Sequence, residues 1–157
     1  MVEQRVLIEL PDGAYPGRLD DRGRLRMPED IRRFLQALPE RKLFVTTLDM
    51  RTVRIYPIAV WREDRDRLVS ARDDPDAADL LFVAYDLGAN TEMDAQGRIL
   101  IHEELRKALG FENQPLKLLP WQWRIDVYTE AAYQERKRRA TEALPEKLQR
   151  MEAKGLK

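Results

Sequence analysis

The chain has 157 residues, 43% of them hydrophobic and 36% charged, with 28 basic residues against 28 acidic ones, one histidine and no cysteine. These figures describe one soluble folded domain or two very small ones, and they exclude a disordered chain, a disulfide scaffold and a thiolate metal site. Zero net charge argues against gripping nucleic acid by bulk electrostatics; with no apolar run near the roughly 20 residues of a spanning helix and no signal-peptide start, a cytoplasmic location is expected.

Arg5 to Leu10 (RVLIEL), closed by Pro11-Asp12-Gly13, reads as a strand ending in a turn, and residues 1–13 as an N-terminal extension strand. Tyr15 to Leu19, the turn Asp20 to Gly23, and Arg24 to Met27 read as a β-hairpin whose tip needs glycine for positive φ. Pro28 suits a first helical position, and Ile31, Phe34, Leu35 and Leu38 give the following short helix an apolar face. LFVTTL (43–48) and TVRIYP (52–57) form a second hairpin around Asp49-Met50-Arg51. A charged amphipathic helix runs from Ile58 to about Arg72, and Asp74-Pro75 opens another helix with an N-cap and a proline.

The second half replays the first. Asp94, Gly97, Arg98, Glu103, Arg106 and Leu109 repeat Asp20, Gly23, Arg24, Glu29, Arg32 and Leu35 at an offset of 74, and YTEAAY (128–133) echoes YPIAVW (56–61) at 72. Two copies are too few for a stacked array, so a pseudo-symmetric pair sharing one core is expected. The first repeat is placed at 14–72, a linking helix and the second repeat at 73–144, and a C-terminal tail at 145–157. After Tyr133 a long basic helix is expected to reach Leu144 and break at Pro145. Trp121-Gln122-Trp123 forms the turn of the second half's hairpin and contains no glycine.

Charge is segregated along the chain. Gly17 to Arg33 carries six arginines against four acids, Arg62 to Gln96 four against ten, and Ala131 to Lys157 eight bases against four acids. Such asymmetry suits either a polyanion partner or subunits that dock acidic surface on basic surface.

In Asp-x-x-Gly-Arg the aspartate caps turn amides and can pair with the arginine four residues on, while the glycine permits the turn. A turn lock therefore explains Asp20, Gly23, Asp94 and Gly97, but it has no need for arginine at 24 and 98. Arg18, Arg22 and Arg26 make the first copy a polyanion contact; the second offers Arg98 with Gln96. His102 is a helix-start residue with no second imidazole or thiol beside it, so no metal, cofactor, small-molecule substrate or catalysis is expected. Trp61, Trp121 and Trp123 read as core or interface anchors, and Arg136 to Arg139 as a solvated helix face.

GRLDDRGRLRMPEDIRRFL, LFVTTLD with VRIYP, and EMDAQGRILIHEELRKALGF together resemble the MraZ family of bacterial transcriptional regulators. The resemblance covers about Ala14 to Tyr133. It implies an α+β chain of two pseudo-symmetric swapped-hairpin, AbrB-type β-barrel repeats with peripheral helices, assembled into a homo-oligomeric ring associated with the nucleoid. It implies binding to double-stranded DNA at direct repeats upstream of the division and cell-wall gene cluster. The family's motif arginines fall on Arg24 and Arg98, its aspartates on Asp20 and Asp94, and a commonly basic loop position on Arg22. The competing reading is an oligomeric scaffold without DNA affinity, held by its acidic linker and basic C-terminal helix.

Overall fold

The computed structural model describes residues 8–71 and 73–157. Of the expected N-terminal strand, Arg5 to Leu7 lie outside the described residues. Ile8 to Leu10 belong to no strand, and Ile8 and Leu10 pack on the core instead.

The first half begins with β1 (Tyr15–Gly17), the Asp20 turn and β2 (Arg24–Arg26). Pro28 then stands one place earlier than expected, as the N-cap of α1 (Glu29–Gln36), which buries Ile31, Phe34 and Leu35 and carries Glu29 and Asp30 where the helix dipole favours acids. The hairpin of β3 (Lys42–Thr46) and β4 (Thr52–Pro57) closes around Asp49, whose carboxylate accepts from the amides of Arg51 and Thr52. Next come α2 (Ile58–Ser70) and α3 (Pro75–Leu87), the latter capped by Asp74, which accepts from the Asp76 amide with Pro75 behind it.

The second half contains β5 (Ala89–Glu92), β6 (Arg98–Leu100), α4 (Glu103–Leu109), β7 (Leu116–Trp121), β8 (Arg124–Thr129), α5 (Glu130–Thr141) and α6 (Leu144–Glu152). Between β7 and β8, Gln122 and Trp123 both take positive φ, at 50° and 66°, without a glycine. The basic helix α5 stops at Thr141 rather than Leu144. The chain breaks at Ala143, which is left-handed at φ 51°, and Pro145 falls in the first turn of α6, where its missing amide costs no hydrogen bond.

All strands pair antiparallel. Six form one sheet in the order β1-β7-β8-β4-β3-β5, and β2 pairs with β6 in a separate ribbon. The order is a palindrome under the repeat: β1 corresponds to β5, β7 to β3 and β8 to β4. Each outer strand therefore lies on the other half's hairpin, and the expected local hairpin of β1 and β2 shrinks to one bridge, Leu19 to Leu25. Strands of three residues are too short to hold as an isolated pair. The expected β-barrel is not closed. β1 and β5 remain as the two edges of the large sheet, because β2 and β6 bond to each other instead of to them.

One core serves both halves. Leu25, Ile31, Val53 and Ile55 from the first half pack with Ile99, Ile101, Leu105, Phe111, Leu118, Ile125 and Val127 from the second, all with no measurable exposure. A second, smaller cluster of Phe44, Tyr56, Ile58, Trp61 and Ala84 lies where α2 and α3 meet the first hairpin. At the centre of the sheet, Arg54 faces Asp126, its counterpart 72 residues on. Burial pushes the Asp126 carboxyl up, and the Arg124 guanidinium at 2.8 Å opposes that. Burial also pushes the Tyr56 hydroxyl up to about 12 while it donates to Asp64 and accepts from Arg54. Among the described residues no buried side-chain nitrogen or oxygen lacks a partner, so this polar seam adds registry without an orphaned group.

Ile55 sits opposite Ile125 in the middle of this core. Ile55→Ala should cost about 2–5 kcal/mol. Urea unfolding followed by circular dichroism and by tryptophan fluorescence should give one coincident transition, as a shared core requires.

Candidate nucleic-acid interface

The two turns are built alike. Asp20 Oδ1 accepts from the amides of Arg22 (3.0 Å) and Arg24 (2.8 Å), and its Oδ2 takes Arg24 Nε at 2.8 Å. Asp94 repeats this with the amides of Gln96 and Arg98, both at 2.9 Å, and Arg98 Nε at 2.8 Å. Each arginine is thus anchored by one edge, about a quarter exposed, and its terminal Nη groups form no hydrogen bond among the described residues. A guanidinium held this way is preoriented, so little side-chain entropy is left to lose when it meets a ligand.

Burial pushes the Asp20 carboxyl up, but the Arg24 and Arg22 amides and the Arg24 guanidinium outweigh it and leave Asp20 below the ordinary carboxylate range. Asp94 is lowered first by the Arg98 amide; burial opposes this, and the Arg98 guanidinium and the Gln96 amide help to outweigh it.

The ribbon sets the turns at its opposite ends. Arg24 pairs with Leu100, Leu25 with Ile99 and Arg26 with Arg98. Leu25 and Ile99 point into the core, so Arg24, Arg26, Arg98 and Leu100 share the outer face. Arg24 and Arg98 stand two residues apart along the ribbon, roughly 7 Å. Arg18, Arg22 and Gln96 are exposed beside or on the turns, and Arg26 is exposed while donating to the Gln96 carbonyl at 3.3 Å.

Each turn is also held by the opposite half. The Met27 amide donates to the Gly97 carbonyl and the Ile101 amide to the Gly23 carbonyl. Arg32 of α1 donates to the Ala95 carbonyl, and a Cβ at Gly97 would come within 2.9 Å of its side chain. Arg106 of α4 lies so close over Gly23 that a Cβ there would overlap its guanidinium. Both glycines are at φ 78°, so they serve the turn and the close approach together. Arg32 and Arg106 were visible in the sequence as repeat identities, yet their bracing role depends on non-local pairing that no local spacing reveals.

No helix among the described residues is long and apolar enough to cross a membrane. No protein-family profile matches the chain. Curated relatives do, and they share one description: transcriptional regulators. The MraZ protein of Dechloromonas aromatica is 34% identical over 134 residues, covering 85% of this chain and 90% of its own. That of Koribacter versatilis is 34% identical over 104 residues, 65% of this chain and 71% of its own, and that of Variovorax paradoxus is 28% identical over 83% and 89%. The chain belongs to the MraZ family of transcriptional regulators.

Gly23→Ala should lower stability by about 1–3 kcal/mol, because it forces an L residue into a left-handed turn and displaces Arg106. A thermal melt of Gly23→Ala beside Gly110→Ala separates the two causes, since Gly110 is also at positive φ but has open space at its Cβ. The smaller loss is expected at Gly110. A depressed carboxyl in the folded state contributes stability that is present above the unfolded aspartate value of about 3.9 and is lost as pH falls through the folded value. Urea midpoints between pH 5 and 2 should therefore fall less steeply for Asp20→Asn with Asp94→Asn than for the parent.

Proposed function

We propose that the chain is a sequence-specific, double-stranded-DNA-binding regulator, and that the outer face of the β2–β6 ribbon and its two turns form the binding surface. The observation that carries this reading is the pair of equivalent arginines, Arg24 and Arg98, each anchored by an aspartate at Nε on one exposed ribbon. A turn lock needs only the aspartate and glycine, whereas a preoriented guanidinium suits a base edge or a phosphate. Arg22 and Arg18 add phosphate contacts at the first turn, and Arg26 with the Gln96 amide adds them at the second.

In this reading the halves, 14–72 and 73–144, are swapped-hairpin repeats of the AbrB type. Support comes from the strand order, in which β1 lies on β7 and β5 on β3. Copies assemble into a ring, which offsets the zero net charge of one chain by repeating the ribbon many times. Family membership supports direct repeats upstream of the division and cell-wall genes as the target and the nucleoid as the place of action. An oligomeric scaffold without DNA affinity is the second reading, and the neutral charge balance is what favours it.

Anisotropy titrations on promoter DNA carrying direct repeats, across a salt series, separate the two. The DNA reading expects log affinity to fall with log salt at a slope of about −0.9 per neutralised phosphate. It also expects Arg24→Ala and Arg98→Ala each to weaken binding roughly 5- to 150-fold, the span of a lost base or charged contact. Equal affinity for promoter and scrambled duplexes, or no loss in either variant, would sink it.

A further inference from the structure

The repeat builds two equivalent platforms, fully aromatic in the first half and with Lys117 in the place of Phe44 in the second, and α3 covers only the first. In the first half Phe44 lies opposite Tyr56 on the hairpin, and Trp61 from α2 stacks on Phe44 at 4.5 Å and meets the Tyr56 ring at a tilt, 5.3 Å away. Helix α3 lies over them: Ala84 is fully buried, Thr46 donates to its carbonyl at 2.8 Å, and the Tyr85 ring meets Trp61 edge-on at 6.4 Å.

In the second half Lys117 lies opposite Tyr128, and Tyr133 of α5 takes the place of Trp61, its ring 6.0 Å from Tyr128 with Lys117 Nζ 5.5 Å above it. No helix covers this platform among the described residues. It opens into a groove of about 290 Å³ with Leu119, Trp121, Tyr128 and Tyr133 as apolar walls, Arg136 and Lys137 at its rim, and the buried Asp126, paired with Arg124, also in its lining. Trp121 is half exposed there.

The counterpart surface is on the same molecule. The side of α3 turned away from its own platform presents Phe82, 72% exposed, and part of Tyr85. Asp79 and Asp86, three residues before and four after Phe82, lie on the same helical stripe. One face is an aromatic knob between acids. The other is an aromatic groove rimmed by bases.

We propose that the groove between β7, β8 and α5 receives the outer face of α3 from a second copy of this chain. Phe82 enters beside Tyr128, Tyr133 and Trp121, while Asp79 and Asp86 face Arg136 and Lys137. Knob and groove are different patches, so the contact is heterologous: every copy offers one of each, and successive copies join head to tail until they close. The partner's α3 completes on the second platform what the chain's own α3 does on the first. Opposed charge fixes which copies meet and in which orientation, and the buried aromatics supply the affinity. The inference rests on the ring reading above and names its joint.

The test is the mass of the full chain by light scattering and native mass spectrometry, with promoter binding measured beside it. Phe82→Asp should dissociate the assembly at least tenfold more readily, and so should Arg136→Glu with Lys137→Glu. All three positions are exposed, so circular dichroism should stay that of the parent. Asp79→Arg with Asp86→Arg should also dissociate it, and combining both charge reversals in one chain should restore the parent mass. Parent mass in all of the single-face variants overturns the proposal and points to another joint, such as the exposed Leu144, Leu148 and Met151 of α6. A parent that is itself monomeric sinks the ring reading and this joint together. Arg24→Ala should weaken DNA binding at unchanged mass, which keeps loss of the binding surface distinct from loss of the joint.

Discussion

Leu25 and Ile99 face each other across the β2–β6 ribbon, neither with measurable exposure, and most of the surrounding architecture depends on that contact. A three-residue strand buries too little to persist alone, and each of these strands finds its partner only in the opposite half. Once they pair, the turns that precede them must lie at opposite ends of the ribbon. The glycine carbonyls then come within reach of the Met27 and Ile101 amides, and the helices that follow are drawn across to lay Arg32 and Arg106 over the other half's turn. The outward residues of the ribbon follow from the same alternation. If the two core residues point in, Arg24, Arg26, Arg98 and Leu100 must point out. The chemistry of the exposed face is thus a by-product of how the inner face is packed.

Local signals in the sequence were legible wherever a few adjacent residues decide the structure. The Asp74-Pro75 cap, the Asp49 hairpin and both Asp-x-x-Gly-Arg turns depend on hydrogen bonds that span four residues or fewer, and each occurs at its expected place. What the sequence hid was the identity of strand partners. A pattern such as Arg-Leu-Arg says which side of a strand is buried but not against which strand, and local pairing of β1 with β2 was the natural expectation. The break before α6 was hidden for a related reason. Proline marked a discontinuity correctly, but a left-handed alanine two residues earlier absorbs the turn, and alanine carries no such signal. Arg32 and Arg106 were seen only as repeat identities, since bracing a turn in the opposite half needs the fold to be known.

Comparison of the halves adds a physical argument about duplication in a single chain. The identities Asp20 with Asp94, Gly23 with Gly97, Arg24 with Arg98 and Arg32 with Arg106 all lie where the halves hold each other's turns. The positions that differ face outward or toward different covers: Arg22 against Gln96, Arg26 against Leu100, Phe44 against Lys117, Trp61 against Tyr133. In a dimer of identical chains each such change would appear twice. Within one chain it appears once, so the reciprocal locks can be kept while the two ends of the ribbon acquire different side chains.

That inequality has a directional consequence. At the first-turn end the outer ribbon face presents Arg24 and the exposed Arg22 with Leu100 opposite Arg24, and at the second-turn end it presents Arg98 and Gln96 with Arg26 opposite Arg98. An apolar side chain thus sits beside Arg24, where the repeat would have placed a fourth arginine, and the two ends of the ribbon differ in chemistry. Leucine at that position contributes no phosphate contact but can pack against an apolar base edge such as a thymine methyl. A surface with an apolar side chain beside the arginine at one end and a second arginine beside it at the other distinguishes the two directions of a duplex, which a strictly two-fold reader cannot do. Direct repeats share one direction, so a ribbon with this polarity suits them better than it suits a palindrome.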